Sequence, residues 1–409
     1  MTPVAAHRQQ SMTGIKALTF VMFMVFAMTT DSVGIIIPEI VKTFRLSLTA
    51  AGTFQYASMA GIAVAGFFLG HLADSLGRKP TIVIGLALFA LASFLFAAGN
   101  AFVYFSILLA ISGIGIGVFK TGALALIGDL AKSTTDHTSL MNTVEGFFGV
   151  GSIIGPAILA RMLATGASWK GLYILAGAIC VVLVLIALRA QYPHGTKANQ
   201  ESMDLRHTVA AMRNRYALAF SLGAFLYVAT EAAVYVWMPT WLAGYKGSAA
   251  AFVAYSISIF FILRAAGRFI GAWLLERFYW TKVLALFSGV IMICFIGAVI
   301  GGPGAALYLL PASGLFMSVI YPSINSKGIS CFPKSEHGAV AGVILFFTCL
   351  SAVVGPLAMG AVSDAMGHPK YGFVLATGFA GLLFAGLLIN WICDPTRELL
   401  KTLDETEYC

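Results

Sequence analysis

Residues 102–128 read Phe102-Val-Tyr-Phe-Ser-Ile-Leu-Leu-Ala-Ile-Ser-Gly-Ile-Gly-Ile-Gly-Val-Phe-Lys120-Thr-Gly-Ala-Leu-Ala-Leu-Ile-Gly128. A helix rises about 1.5 Å per residue, so about 20 apolar residues cross the roughly 30 Å hydrocarbon core of a bilayer. This run exceeds that length with Lys120 as its single charge. Runs of the same character occur near 16–39, 50–72, 81–99, 102–128, 139–164, 170–190, 216–243, 249–275, 281–301, 304–326, 338–363 and 371–394. They predict an all-α membrane protein of twelve transmembrane helices. The first run is about 24 residues long and leads into a second, which reads as a retained span and not a cleaved signal peptide.

Composition leads to the same class. Of the 409 residues, 59% are hydrophobic and 10% charged, against about 25% charged in soluble domains. A water-soluble fold and a disordered chain are both excluded, and the 43 glycines suit helices that pack closely in lipid. The net charge of +8 does not point to nucleic acid, because the basic residues are scattered singly between apolar runs. The six cysteines (180, 294, 331, 349, 393 and 409) have no CxxC spacing, so free thiols are expected rather than a zinc site or a disulfide frame. GxxxxGK[ST] and HExxH do not occur in the sequence, which argues against a nucleotide-driven pump or an enzyme acting in the membrane; no cofactor or metal is implied.

Lys and Arg concentrate on the cytoplasmic side of membrane proteins. With twelve spans and both ends inside, sixteen basic residues fall on the inner side, six (Lys42, Arg45, Arg161, Lys170, Lys246 and Lys370) on the outer side, and Lys120, Arg264 and Arg268 within spans. Both termini are therefore expected in the cytoplasm, in a plasma membrane protein (the inner membrane if bacterial). The polar interval 191–215 is the expected cytoplasmic linker between an N-terminal six-helix bundle, 1–190, and a C-terminal bundle with a short tail, 216–409. The two halves echo each other. Gly66-Phe-Phe-Leu-Gly70 recurs as Gly267-Arg-Phe-Ile-Gly271 after 201 residues, and Gly155-Pro156 recurs as Gly355-Pro356 after 200. Such a duplication is typical of carriers that rock two bundles around a central site near the bilayer midplane.

After the second run the sequence reads Gly70-His-Leu-Ala-Asp74-Ser-Leu-Gly77-Arg78-Lys79. A glycine admits close helix contact, Asp74 can pair with a helix end or a basic residue, and Arg78 and Lys79 hold the turn on the cytoplasmic side. This loop resembles that of the major facilitator superfamily, in which it would act as a gating latch. Further stretches resemble the fucose/proton symporter family within it: Leu226-Tyr227-Val-Ala-Thr-Glu231, Gly267-Arg268-Phe269-Ile270-Gly271, Phe316-Met-Ser-Val-Ile-Tyr321-Pro322-Ser323, Met359-Gly-Ala-Val-Ser-Asp364-Ala-Met-Gly367, and Met141-Asn142-Thr-Val-Glu145 through Gly155. The resemblance implies two pseudo-symmetric bundles and proton-driven uptake of a hexose or deoxyhexose. By it, functional carboxylates would fall near Gly34 and at Lys120, where this chain has none. Acids stand nearby instead, at Asp31 and at Glu145, the latter where the family pattern carries a neutral amide.

Independently of any resemblance, Asp31, Lys120, Glu145, Glu231 and Arg264 interrupt apolar spans. A charge at the membrane centre costs at least about 2.5–3.5 kcal/mol, so such residues face a cavity or pair with one another. Asp31, Glu145 and Glu231 are the candidate proton-coupling groups. Lys120, Asn142, Glu231, Tyr227, Arg264, Tyr321 and Gln55 are the candidate substrate-binding residues. Tyr235, Trp237, Tyr255 and Asn325 are further polar or aromatic candidates. Lys120 either neutralises Glu145 or Asp31 as a structural pair or binds an anionic group. The expected activity is secondary active transport of a small polar solute, a sugar, sugar acid or similar organic anion, by proton-coupled symport, without nucleic-acid partners and as a monomer. The alternatives are a drug or metabolite/proton antiporter, because Gly151-x-x-x-Gly155-Pro156 resembles an exporter motif, and a non-transporting solute sensor.

Overall fold

The computed structural model describes residues 3–69, 72–130, 134–192, 212–332 and 337–400. Regular structure among them is helical throughout. In the first part of the chain the helices are α1 (Pro3–Thr30), α2 (Val33–Phe44), α3 (Leu48–Ala51), α4 (Thr53–Phe68), α5 (Leu72–Ser75), α6 (Arg78–Leu95), α7 (Phe102–Leu130), α8 (Thr134–Ala164) and α9 (Lys170–Arg189). There follow α10 (Arg215–Ala232), a π-helical turn (Ala233–Trp237), α11 (Met238–Leu242), α12 (Ala250–Val253), α13 (Ser256–Arg277), α14 (Trp280–Met317), α15 (Ile320–Ser330), α16 (His337–Ala365) and α17 (Lys370–Cys393). Among the described residues ten stretches are long and apolar enough to cross a membrane. Nine correspond to one expected run each, and Trp280–Ser330 contains two. The remaining run, 50–72, supplies α4, whose 16 residues are short for a span.

Three departures from the expected runs have local causes. The first run is broken at Asp31–Ser32 between α1 and α2. Here the hydroxyls of Thr29 and Thr30 donate to the Phe26 carbonyl at 3.0 and 3.2 Å, and that of Ser32 donates to Met28 at 2.6 Å. Hydroxyls bonded back onto the preceding turn compete with the helix ladder and bend it. The π turn precedes Pro239, which has no N–H to donate and whose ring crowds the carbonyl four residues earlier. Inside α14, Gly302 adopts φ 70°, a left-handed conformation that glycine enters without steric cost, and the helix kinks there between the two expected runs.

The chain divides into two compact units, 1–44 with 53–200 and 45–52 with 201–409. The interval 193–211, most of the expected linker, lies outside the described residues. Within the first unit α1 packs on α8, α4 on α7, and α6 on α7 and α9. Within the second, α10 packs on α16, α13 on α14, and α14 on α17. The partners recur in the order of the sequence repeat. Cores of both units are aromatic and aliphatic: Phe26 meets Phe89 edge to face and Phe119 at a tilt, with centroids 4.9 and 4.7 Å apart, and Trp241 is tilted against Phe373 at 4.5 Å.

Two glycines fix the α1–α8 contact. A Cβ at Gly151 would overlap the Met24 carbonyl oxygen, and one at Gly155 would overlap the backbone of Met28. In the second unit the repeat counterpart of Gly155, Gly355, lies against Ala229 of α10. Close backbone approach of this kind is how small residues hold helices together where lipid gives no hydrophobic drive.

Candidate functional site

In the first unit the site is built on one face of α8. The single proton of the Ser152 hydroxyl has two acceptors in reach, Asp31 Oδ2 and, at 3.0 Å, the Phe148 carbonyl one turn earlier. Thr30 donates to Asp31 Oδ1 at 3.4 Å. The broken α1–α2 junction thus presents a half-buried carboxylate to α8, which a continuous helix would have turned through its regular ladder. One turn from Ser152, the Phe148 ring receives the Lys120 ammonium from α7, 5.3 Å from its centroid. Lys120 is half-buried. Among the described residues no carboxylate lies within 4.0 Å of it. The expected structural pair with Glu145 or Asp31 is therefore not formed: Glu145 is exposed one turn before Phe148, and Asp31 is engaged with Ser152.

Behind Asp31 a cavity of about 10 Å³ is bordered by Thr29, Thr30, Ser58, Ser112 and Tyr173. Its size matches about one water molecule. Gln55, expected to touch substrate, is fully buried on α4, and neither amide atom has a hydrogen-bond partner among the described residues. The side chains of Asn142 and Asp74 lie outside the described ones.

In the second unit Glu231, Arg264 and Tyr227 form one network. Arg264 Nη1 lies 2.8 Å from Glu231 Oε1. The Tyr227 hydroxyl, one turn before Glu231, donates within reach of the same oxygen at 3.1 Å and of the Met317 carbonyl at 3.0 Å. Three helices, α10, α13 and α14, thereby meet at one carboxylate. Tyr227 also stacks on Tyr321 with centroids 5.9 Å apart, and the Tyr321 hydroxyl lies 3.4 Å from that of Thr348 on α16. The side chain of Glu231 is 9% exposed and that of Arg264 23%, so the pair is reached from one side only.

The other aromatics separate. Trp237, at the end of the π turn, is buried and donates to the Pro356 carbonyl at 3.1 Å. Tyr235 tilts against Phe261 at 6.3 Å, whereas Tyr255 is exposed and Asn325 half-buried.

Two of the three loop residues have described side-chain partners. Arg78 Nε pairs with Asp129 at the end of α7 at 2.9 Å, and its Nη1 donates to the Ala73 carbonyl at 2.8 Å. Lys79 donates to the carbonyls of Leu188 and Ala190 at 2.7 and 3.0 Å, closing the end of α9. Sequence reasoning overlooked Asp129, Phe148, Ser152 and Thr348. Only Asp129 carried a signal, an acid at the end of an apolar run; the others are ordinary residues that gain meaning from their neighbours. Asp364 accepts hydrogen bonds from the backbone N–H groups of Leu48 and Thr49, both at 2.7 Å, at the start of α3.

Residues 19–356 match the family model described as Major Facilitator Superfamily. A Protein TsgA homolog of Buchnera aphidicola is 24% identical over 95% of this chain and 98% of its own length. The L-fucose-proton symporter of Escherichia coli is 25% identical over 86% of this chain and 87% of its own. Among solved structures, that of the nucleoside transporter NupG superposes with a TM-score of 0.75 at 14% identity, covering 93% of this chain and 99% of that one.

Proposed function

The chain belongs to the major facilitator superfamily and is an integral membrane transporter, not an enzyme; on that premise we propose that it moves a small polar solute of the sugar class by alternating access, in symport with protons. The observation that carries this reading is the network of Tyr227, Glu231 and Arg264. A carboxylate held between a guanidinium and a phenol has two stable partnerships. Ionised, it holds Arg264; protonated, it gives up most of that attraction and frees the guanidinium for a solute oxygen. The tyrosine pair beside it offers flat faces with polar edges, which suits a sugar ring. Asp31 with Ser152 and Thr30 supplies a second protonatable position in the first unit. A relative that is a fucose-proton symporter supports the substrate class.

In this reading the bundles 1–190 and 216–409 rock about the linker, both termini lie in the cytoplasm, and the protein works as a monomer with lipid and solute as its partners. Arg78 and Lys79 fasten the cytoplasmic turn. An exporter reading draws on Gly151 and Gly155, whose close contact with α1 is what the resembling exporter motif would require.

Solute uptake into proteoliposomes under an imposed pH gradient tests the proposal. An inwardly directed proton gradient, acid outside, should drive accumulation of a sugar, and Glu231→Gln or Asp31→Asn should abolish accumulation while exchange persists. Accumulation only with the opposite gradient would establish the antiporter, and solute binding without flux would establish a sensor.

A further inference from the structure

Lys120 carries an electrostatic deficit that the described residues do not make good. It lies well inside α7, a helix of 29 residues whose other charged residue, Asp129, stands at the far end and is held by Arg78. A lysine at such a position in an apolar helix is costly unless its charge is compensated. The face of Phe148 offsets only part of that cost. The acids that the sequence places nearest in the fold are otherwise disposed: Asp31 accepts from Ser152 and Thr30, and Glu145 is exposed. Among the described residues none brings a carboxylate within 4.0 Å of the ammonium.

We propose that the transported solute is itself anionic and that its carboxylate is the counterion of Lys120. This rests on the carrier reading above and narrows its substrate class from sugars in general to a monocarboxylate on a hydroxylated skeleton, such as a uronic or aldonic acid. The geometry favours one negative charge. Lysine is a compact point charge, and recognition of a phosphate dianion commonly recruits the planar fork of arginine as well. The Phe148 ring lines one side of the ammonium, which shields it from water and strengthens any anion that approaches the open side. The half-buried Asp31 carboxylate, held by Ser152 one turn along α8 from Phe148, then has lone pairs left to accept from a hydroxyl group of the same solute.

The test uses purified full-length protein and matched acid and neutral solutes: D-glucuronate against D-glucose, D-galacturonate against D-galactose, D-gluconate against D-glucitol, and L-fuconate against L-fucose. Affinities come from thermal shift and calorimetry. The acid of at least one pair should bind the wild type about tenfold or more tightly than its neutral partner. Lys120→Gln should remove that preference with little change for the neutral solute, and Lys120→Arg should retain most of it. Equal or better binding of the neutral members, no binding of any acid, or an acid preference that survives Lys120→Gln would each overturn the proposal. The wild-type comparison needs no variant, so a misfolded Lys120→Gln leaves the outcome decided. Failure here is separable from failure of the carrier reading. Proton-driven uptake of a neutral sugar by the wild type without acid binding removes only the anion, whereas acid binding through Lys120 without flux removes only the carrier.

Discussion

Arg264 Nη1 stands 2.8 Å from Glu231 Oε1, and the same oxygen lies 3.1 Å from the Tyr227 hydroxyl. Removing one member of a buried pair leaves the other charge uncompensated, whereas removing both does not. Glu231→Gln or Arg264→Met alone should cost about 2–4 kcal/mol, less than the roughly 3–5 of a fully buried pair because Arg264 keeps a quarter of its side chain accessible. The double variant should recover much of that loss. Thermal melts of the four proteins give the coupling directly; strictly additive losses would show that the two charges do not sense each other.

Tyr227→Phe removes a hydroxyl that serves both Glu231 and the Met317 carbonyl. About 1–3 kcal/mol should be lost, since two acceptors lose a donor in a buried place. Tyr321→Phe, whose described hydroxyl contact is the long 3.4 Å approach to Thr348, should cost less. Melting temperatures that rank the two in the opposite order would contradict the network.

The cytoplasmic turn offers a charge-exchange experiment. Asp129→Asn should weaken the Arg78 pair by about 1.5–3 kcal/mol, the usual range for a hydrogen bond to a charged group. Swapping the charges, Arg78→Asp with Asp129→Arg, should recover stability that each single change loses. Proteolysis rates at the turn report it, and a double variant no better than the singles would leave the contact without energetic weight.

Gly66 and Gly267 correspond in the sequence repeat but not in packing. A Cβ at Gly267 would overlap the Leu315 carbonyl oxygen, and at Gly66 nothing lies within 4 Å. Gly267→Ala should therefore destabilise by about 1–3 kcal/mol, and Gly66→Ala should be neutral or slightly stabilising, as helix propensity alone predicts. Equal melting temperatures for the two variants would contradict this packing.

The span pattern, the helical class and the membrane setting were legible because hydrocarbon thickness and backbone satisfaction dictate them almost independently of detail. The candidate charges were legible for the same reason, since each interrupts an apolar run. Their partners were not. Asp31 meets Ser152 because three hydroxyls break the first helix, Trp237 meets Pro356 because a π turn shifts the register before Pro239, and Arg78 reaches Asp129 at the far end of α7 as well as Ala73 of its own turn. Each is a long-range consequence of helix placement, and residue spacing within one segment carries no record of it. The low solvation of Gln55 was equally invisible: its polarity suggested contact with solute, but α4 turns it into the bundle.

Gly151 and Gly155 set Met24 and Met28 against α8 backbone to backbone, and Asp31 with Ser152 lies at the end of that same seam. Two rods joined this tightly turn together, as a hinge leaf and its screw do. The contact between the Ser152 hydroxyl and the Asp31 carboxylate should therefore keep its geometry when the two helices move as one body. On the carrier reading proposed above, the change open to this contact is a proton arriving or leaving, with mechanical travel altering it little.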